Sequence, residues 1–336
     1  MLCLIVTGLC NFACKNCHVY STQVPGSQMS FETMDFSMNS YCDVLKSYGT
    51  KRLGVRLYGG EILINKKNVF SLIEKYGALH DGISISWLLH TNGSLLTDDD
   101  AAFLKAHNVD VHLSCDGYAD VHDKNRVDKF GNPTFERVKK ALQIIKDHGL
   151  KAQLNSYAMP ENLGHLRDIV DIAKTYGIDR VHIDYFYQSK MQHSAIVLPK
   201  YLDCHSYACN NGVSLFGPWS RVLSKYSSNE SVTFSGPQSI VVNPDSTFFF
   251  SAFPMSRRLS LSIHDMQGLM RSVDYQQFLG MMNAYFERTC SGCFLKDSCF
   301  GNAISQFQYH TLLENGYQES CNLTKGIVSK LAGVSL

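Results

Sequence analysis

The sequence is notable first for what it lacks. No apolar stretch reaches about 18 residues, so no transmembrane helix is expected. The N-terminus has no basic region leading into a long apolar core and a small-residue cleavage site, so no secretory signal peptide is read. Net charge is nearly absent: 31 Lys and Arg against 30 Asp and Glu leave +1. A balance of that kind excludes a general nucleic-acid or membrane-surface partner. Charged residues make up 18% and hydrophobic residues 45%, as in a soluble globular protein, and 336 residues can bury a large core in more than one domain. Cysteine, by contrast, is plentiful, with twelve residues. In a chain of this length without a signal peptide, clustered thiols at short spacing bind metal more often than they pair as disulfides.

The first cluster is Cys10-Asn11-Phe12-Ala13-Cys14-Lys15-Asn16-Cys17, directly after an apolar β-like run from Leu2 to Leu9. Three thiols in one short loop can meet one face of a small inorganic group. A cubane iron–sulfur cluster has four irons and takes Cys thiolates as ligands. Three thiolates leave one iron open to a substrate or cofactor. A structural zinc needs a fourth ligand, which His18 can supply, so the loop by itself admits both metals.

Through residue 195 the pattern alternates between strand and helix. Strand-like runs fall at Cys3–Thr7, Leu53–Tyr58, Ile83–His90, Val109–Ser114, Ala152–Ala158 and Val181–Tyr187. Helical patterns lie at Met34–Tyr48, Asn68–Tyr76, Thr97–His107, Thr134–His148 and Leu163–Tyr176. Gly49, Gly149 and Gly177 stand where helix C-caps are expected, and Thr97 with three following Asp residues marks a helix start. Such alternation predicts an α/β fold of parallel strands with right-handed crossovers. The second strand runs into Tyr58-Gly59-Gly60-Glu61.

A three-Cys loop after the first strand and Gly-Gly-Glu after the second resemble the radical S-adenosylmethionine (SAM) enzymes. The resemblance implies a partial (β/α)6 TIM-like barrel over residues 1–195. Its open iron, held by Cys10, Cys14 and Cys17, would chelate the amino and carboxylate groups of SAM, with Gly59, Gly60 and Glu61 along the methionine amine. Asn16 stands where the family usually has an aromatic residue and Ile62 where it often has Pro, but neither change removes an iron ligand. Thr91-Asn92-Gly93 matches a turn that the family uses near its active site. Ser114-Cys115-Asp116-Gly117, followed by His122-Asp123 and Arg126, is similar to a stretch in the peptide- and protein-modifying branch. By that analogy Ser114 and Arg126 hold the SAM carboxylate or ribose, Asn92 adjoins the site, and Tyr20 stacks on the adenine. Asn155 and Tyr185 are expected to face the same cavity.

Residues 196–235 break the alternation and read as a bridging helix from Pro199 followed by a linker. They carry Cys204 and Cys209, which read as a hydrogen-atom donor (Cys209 the candidate), as extra metal ligands or as unliganded thiols in a packed bridge. From residue 236 onward, Ser239–Val242 and Thr247–Phe250 read as a hairpin, followed by a helix at Tyr275–Arg288. Then come Cys290, Cys293 and Cys299, in C-x2-C-x5-C spacing, and Cys321. Four thiolates hold either zinc or a [4Fe–4S] cluster, and spacing does not separate the two. The arrangement is similar to the SPASM domain, an α+β iron–sulfur extension of radical SAM maturases. Ala303 and Ser251 occupy positions where that domain has ligands for a further cluster, so one auxiliary [4Fe–4S] cluster is expected.

The function that the resemblance implies is one-electron cleavage of SAM to a 5′-deoxyadenosyl radical, which takes a hydrogen atom from a peptide or protein substrate. Cross-linking or dehydrogenation would follow, with electrons from a donor such as flavodoxin or ferredoxin. Sulfatase maturation and small-molecule dehydrogenation are alternatives within the class, and a zinc-bearing interaction module is the alternative outside it. The chain opens almost at its first strand, so any leader peptide is expected to be recognised by the C-terminal domain or by another protein. Because oxygen destroys open cubanes, a reducing cytoplasm in an anaerobic or microaerobic setting is expected.

Overall fold

The computed structural model describes residues 1–15, 17, 26–185, 193–232, 235–250, 261–299 and 316–334. Strand and helix alternate along the first part of the chain. β1 (Leu2–Thr7) is followed by α1 (Phe31–Ser47), β2 (Arg52–Gly59), α2 (Lys66–Tyr76), a short β3 (Leu79–His80) and β4 (Ile83–Thr91). Then come α3 (Asp98–Ala106), β5 (Asp110–Ser114), α4 (Ala119–Asn125), α5 (Phe135–His148), β6 (Ala152–Ala158), α6 (Leu166–Thr175) and β7 (Arg180–Tyr185).

Local chemistry accounts for these boundaries. Thr97 and Asp100 form a reciprocal capping box at the start of α3, and Ser30 accepts from the backbone of Thr33 at the start of α1. Gly149 ends α5 in the left-handed conformation, where a Cβ would be strained. Every second residue of the strands is sealed beneath helices. Leu4, Val55, Leu57, Leu89, Val111, Leu154 and Ile183 all have no measurable exposure. Each such side chain contributes roughly 1.5–3 kcal/mol by leaving water.

β1, β2, β4, β5, β6 and β7 are parallel neighbours in that order. This is the six-unit α/β partial barrel implied by the sequence. The sheet is wider than six strands, however. The stretch read as a bridging helix and linker contains the expected helix, α7 (Leu198–Asn210), but its linker part holds β8 (Ser214–Phe216) and α8 (Ser220–Ser227), and β8 pairs in parallel with β7. A strand of three residues is too short to show a period of two, which is why it reads as connector.

On the opposite edge, β9 (Ile240–Val242) and β10 (Thr247–Phe250) form the expected antiparallel hairpin, with β11 (Leu261–Ser262) beside it. β9 also pairs in parallel with β1, with Leu2 opposite Ile240 and Leu4 opposite Val242. The hairpin therefore continues the sheet. The chain proceeds through α9 (Met266–Arg271), α10 (Val273–Thr289), α11 (Lys296–Cys299) and α12 (Gly316–Ala332).

Candidate active site

The Cys10–Cys17 loop leaves the C-terminal end of β1, the end where barrel enzymes place their chemistry. Backbone pairing fixes its position. Ala13 N–H donates to Val127 O at 2.8 Å, Lys15 N–H donates to Asn125 O at 2.9 Å, and Phe12 bridges Asp128. Cys10, Cys14 and Cys17 are each partly exposed, and none is in a disulfide. Burial pushes the Cys10 thiol up to about 12. It also raises the Cys14 thiol, while the Arg126 guanidinium beside Cys14 pulls the other way. Bound iron would reverse these shifts, because ligand thiols must be deprotonated. Among the described residues, no three His, Cys, Asp or Glu side chains close in on a single-ion position. Three free, partly exposed thiols on a loop pinned from behind fit a cluster, whose ligands are spread over several irons.

The Gly59-Gly60-Glu61 stretch lies against the start of that loop. Gly60 N–H donates to Thr7 O at 2.7 Å, and Glu61 N–H donates to Leu9 O at 2.8 Å. A Cβ on Gly59 would lie 2.3 Å from Thr7 O, and one on Gly60 2.0 Å from Leu9 O, so the approach requires glycine at both positions. The Glu61 carboxylate is fully buried and faces the neighbouring turn. It accepts from Thr91 Oγ1 at 2.7 Å, Asn92 N at 2.7 Å and Leu63 N at 3.1 Å. Burial raises its pKa, and these three donors partly offset the rise. Glu61 thus latches the second strand end to the Thr91-Asn92-Gly93 turn. Asn92 continues the chain of contacts: its Nδ2 reaches Asn11 Oδ1 at 3.0 Å and Cys10 Sγ at 3.8 Å.

Arg126 is buried at the end of α4. Its fork engages Asp116 through Nε–Oδ2 at 2.8 Å and Nη2–Oδ1 at 3.1 Å. Asp116 also accepts from Asn125 at 2.7 Å and Ser156 at 3.0 Å. Burial alone would raise the Asp116 carboxyl, but Arg126 and Asn125 overcome it and hold it below the ordinary range. The rest of this sequence stretch has structural partners as well. His122 Nδ1 accepts from Asp116 N at 3.3 Å, and Asp123 Oδ1 accepts from Thr134 N at 2.7 Å and Phe135 N at 2.9 Å, capping α5. Ser114 is half-buried at the end of β5, paired in register with Asn155.

Strand alternation places a row of polar residues on the inner face of the sheet. Tyr58 meets His90 edge-on at 5.2 Å, and His90 meets His112 at 4.7 Å. Asn155 Nδ2 lies 3.4 Å from Nδ1 of both His90 and His112. Sequence reading did not single out these histidines. The available signal was polar residues at every second position of strands that are otherwise apolar; parallel strands covered on both faces are apolar throughout.

The second thiol set lies on helix ends. Cys290 caps α10, Cys293 N–H donates to Cys290 O at 3.0 Å, Cys299 ends α11 and Cys321 lies on α12. Cys290 and Cys321 pack on Phe286. Burial pushes Cys321 up to about 12, and the charges of Cys299, Cys290 and Cys293 raise it further. Four thiolates suit a fully ligated cluster, whose ligands are spread over several irons.

Cys209 is exposed near the C-terminal end of α7, with Sγ 3.8 Å from His205 Nδ1, just before β8 begins. This is the end of the sheet opposite the Cys10 loop, so the structure does not bring Cys209 to the other candidate residues. Tyr20, His18, Ser251 and Ala303 lie outside the described residues, as does the side chain of Tyr185.

Comparison with known proteins bears on this geometry. The radical SAM superfamily model matches residues 4–184. The chain is 23% identical to the radical SAM cyclopropyl synthase TigE of Paramaledivibacter caminithermalis, over 98% of this chain and 73% of that protein. It is 30% identical to a serine-type anaerobic sulfatase-maturating enzyme of Bacteroides thetaiotaomicron, over 44% of this chain. There it spans 36% of the relative's length. Native anSMEcpe with bound AdoMet superposes with a TM-score of 0.73 at 18% identity, covering 99% of both chains. The same protein with AdoMet and the Cp18Cys peptide gives 0.73 at 19% identity, covering 99% of this chain and 97% of that one.

Proposed function

This chain belongs to the radical SAM superfamily, and on that premise we propose that it modifies a peptide or protein by abstracting a hydrogen atom from one of its side chains. It is an iron–sulfur, SAM-dependent enzyme with a SPASM-type Cys-rich C-terminal region. The observation that carries the peptide reading is the near-full-length likeness to TigE and to anSMEcpe, the latter solved with a peptide bound. When bound, the [4Fe–4S] cluster supplies one electron to SAM, which yields the 5′-deoxyadenosyl radical.

The chain's own residues would do the rest. Cys10, Cys14 and Cys17 would hold the cluster. Gly59 and Gly60 would let backbone approach SAM, with Glu61 and Asn92 fixing the loop against them. Ser114 and Arg126 would face the SAM carboxylate or ribose, and Tyr20 the adenine. Arg126 already engages Asp116 through Nε and Nη2. Cys290, Cys293, Cys299 and Cys321 would hold one auxiliary [4Fe–4S] cluster, within a C-terminal unit from about residue 236. A cavity of about 360 Å³ opens beside Cys10, with Lys129 and Phe130 among its lining. With exposed Lys15 nearby, that rim suits an acidic electron donor such as flavodoxin or ferredoxin. Oxygen-sensitive clusters fit a reducing, cytoplasmic setting; among the described residues, no helix is long and apolar enough to cross a membrane.

The test is anaerobic reconstitution with iron and sulfide, followed by reductant, SAM and candidate precursor peptides. About eight irons, 5′-deoxyadenosine release and a peptide mass change would support the reading. Deoxyadenosine release stimulated only by a small molecule would replace the peptide with that substrate.

A further inference from the structure

Arg56 and His112 belong to adjoining layers of the sheet's inner face. Register puts Arg56 beside Cys3 and Leu88, Leu88 beside Asp110, and His90 beside His112 one step toward the strand ends. The amide of Asn155 donates toward Nδ1 of His90 and His112, which leaves the ring hydrogen of each on Nε2. The His112 Nε2 is buried and makes no hydrogen bond, since the nearest Asp110 oxygen is 3.7 Å away. The Arg56 Nε is likewise buried without a hydrogen-bond partner. A buried N–H with no acceptor is costly and needs an explanation.

Charge points the same way. Among the described residues no carboxylate pairs with Arg56, and the one in its layer, Asp110, is taken. Arg180 binds it at 2.8 and 2.6 Å, and Lys151 lies 3.2 Å away. Burial, with Arg56 adding to it, lowers His182 to about 4, and burial with Arg56 and Arg180 lowers His112 to about 3. The imidazoles are therefore neutral at physiological pH and act as donors, while Arg56 brings the charge.

Resting on the reading that a substrate enters the barrel, we propose that Arg56 and His112 form an anion-binding subsite that takes the side-chain carboxylate of an acidic residue in the substrate. A planar carboxylate satisfies a guanidinium edge and a neighbouring imidazole N–H at once. Arg56 lies three residues, about 10 Å, below the end of β2. An acid held there anchors the substrate from inside the barrel, with its backbone toward the Cys10 loop.

The test is equilibrium dialysis of the reconstituted holoenzyme with SAM, using N-acetylglutamate amide and its neutral isostere N-acetylglutamine amide. The acidic probe should bind saturably and at least about tenfold more tightly than the isostere. Arg56→Gln should weaken the acidic probe by about tenfold or more, and Arg56→Lys should retain part of the preference. Iron content and melting temperature matching the parent verify that each variant folds. Equal affinity for the two probes, no binding of the acid, or an Arg56→Gln protein that binds as the parent does would each overturn the subsite. The two-probe comparison decides without any variant. Deoxyadenosine release from the same preparation, measured without probe, tests the radical reading separately.

Discussion

The two thiol sets are built differently. Cys10, Cys14 and Cys17 sit on a loop at the end of a fully buried strand, and that loop is pinned to residues 125–128 by backbone hydrogen bonds. Cys290, Cys293, Cys299 and Cys321 sit on the ends and face of helices that meet at Phe286. The first set has three thiols and a carefully held border: Gly60 against Leu9, and Asn92 against Asn11. The second has four thiols on helix ends and faces around Phe286. A site built to react leaves a position open and spends its scaffold on orienting what enters. A site built to hold or relay closes its coordination with protein ligands alone.

The largest effect should come from the open site. Cys14→Ala is expected to abolish deoxyadenosine formation and to reduce bound iron from about eight to about four per chain. Retention of all the iron would mean that the loop is not a ligand set. Cys321→Ser sharpens the contrast from the other side. It should remove about four irons while SAM cleavage without substrate persists. If both properties were lost together, the two sites would not be separable.

Next in size is the support behind the loop. Asp116→Asn leaves Arg126 buried without its counter-ion, which should cost about 3–5 kcal/mol in denaturant unfolding. The same carboxylate gives a pH test. Its folded pKa is depressed, so its stabilisation is complete above the ordinary carboxylate range near about 3.9 and is lost as pH falls through the folded value. Acid titration of stability should show that loss in the parent and not in Asp116→Asn. The smallest effect belongs to Phe130, 89% exposed beside the same loop. Phe130→Ala should change stability by less than about 0.5 kcal/mol. A slower reaction with a protein reductant than with a chemical one would mark this residue as part of a docking surface.

Much of the fold was legible in the sequence because it is encoded locally. The apolar runs from Cys3 to Val181 gave the six barrel strands, and Thr97, Gly49 and Gly149 marked helix ends. Spacing alone grouped the thiols into two sets, while leaving zinc and a cluster both open for each. What escaped was set by register and distance. Glu61 and Asn92, thirty-one residues apart, become partners only once β2 and β4 align. Arg126 finds Asp116 because α4 turns back on the end of β5. Arg56, His90 and His112 look like scattered polar residues until parallel pairing stacks them on one face. Cys209 shows the reverse case: a thiol in a stretch with His205 and Tyr207 suggested a role that its place at the far end of the sheet does not favour.

The pairing of β1 on both sides has a consequence for biosynthesis. Leu2 lies between Val55 on one neighbour and Ile240 on the other. The first partner leaves the ribosome early, but the second follows only on the order of ten seconds or more later at ordinary translation rates. Until then β1, with every residue destined for burial, presents an unpaired edge next to the nascent thiol loop. The strand that launches the reactive loop is thus the last of the barrel strands to be sealed. Closure of that edge therefore waits until residue 240 has docked, when most of the chain has already been made.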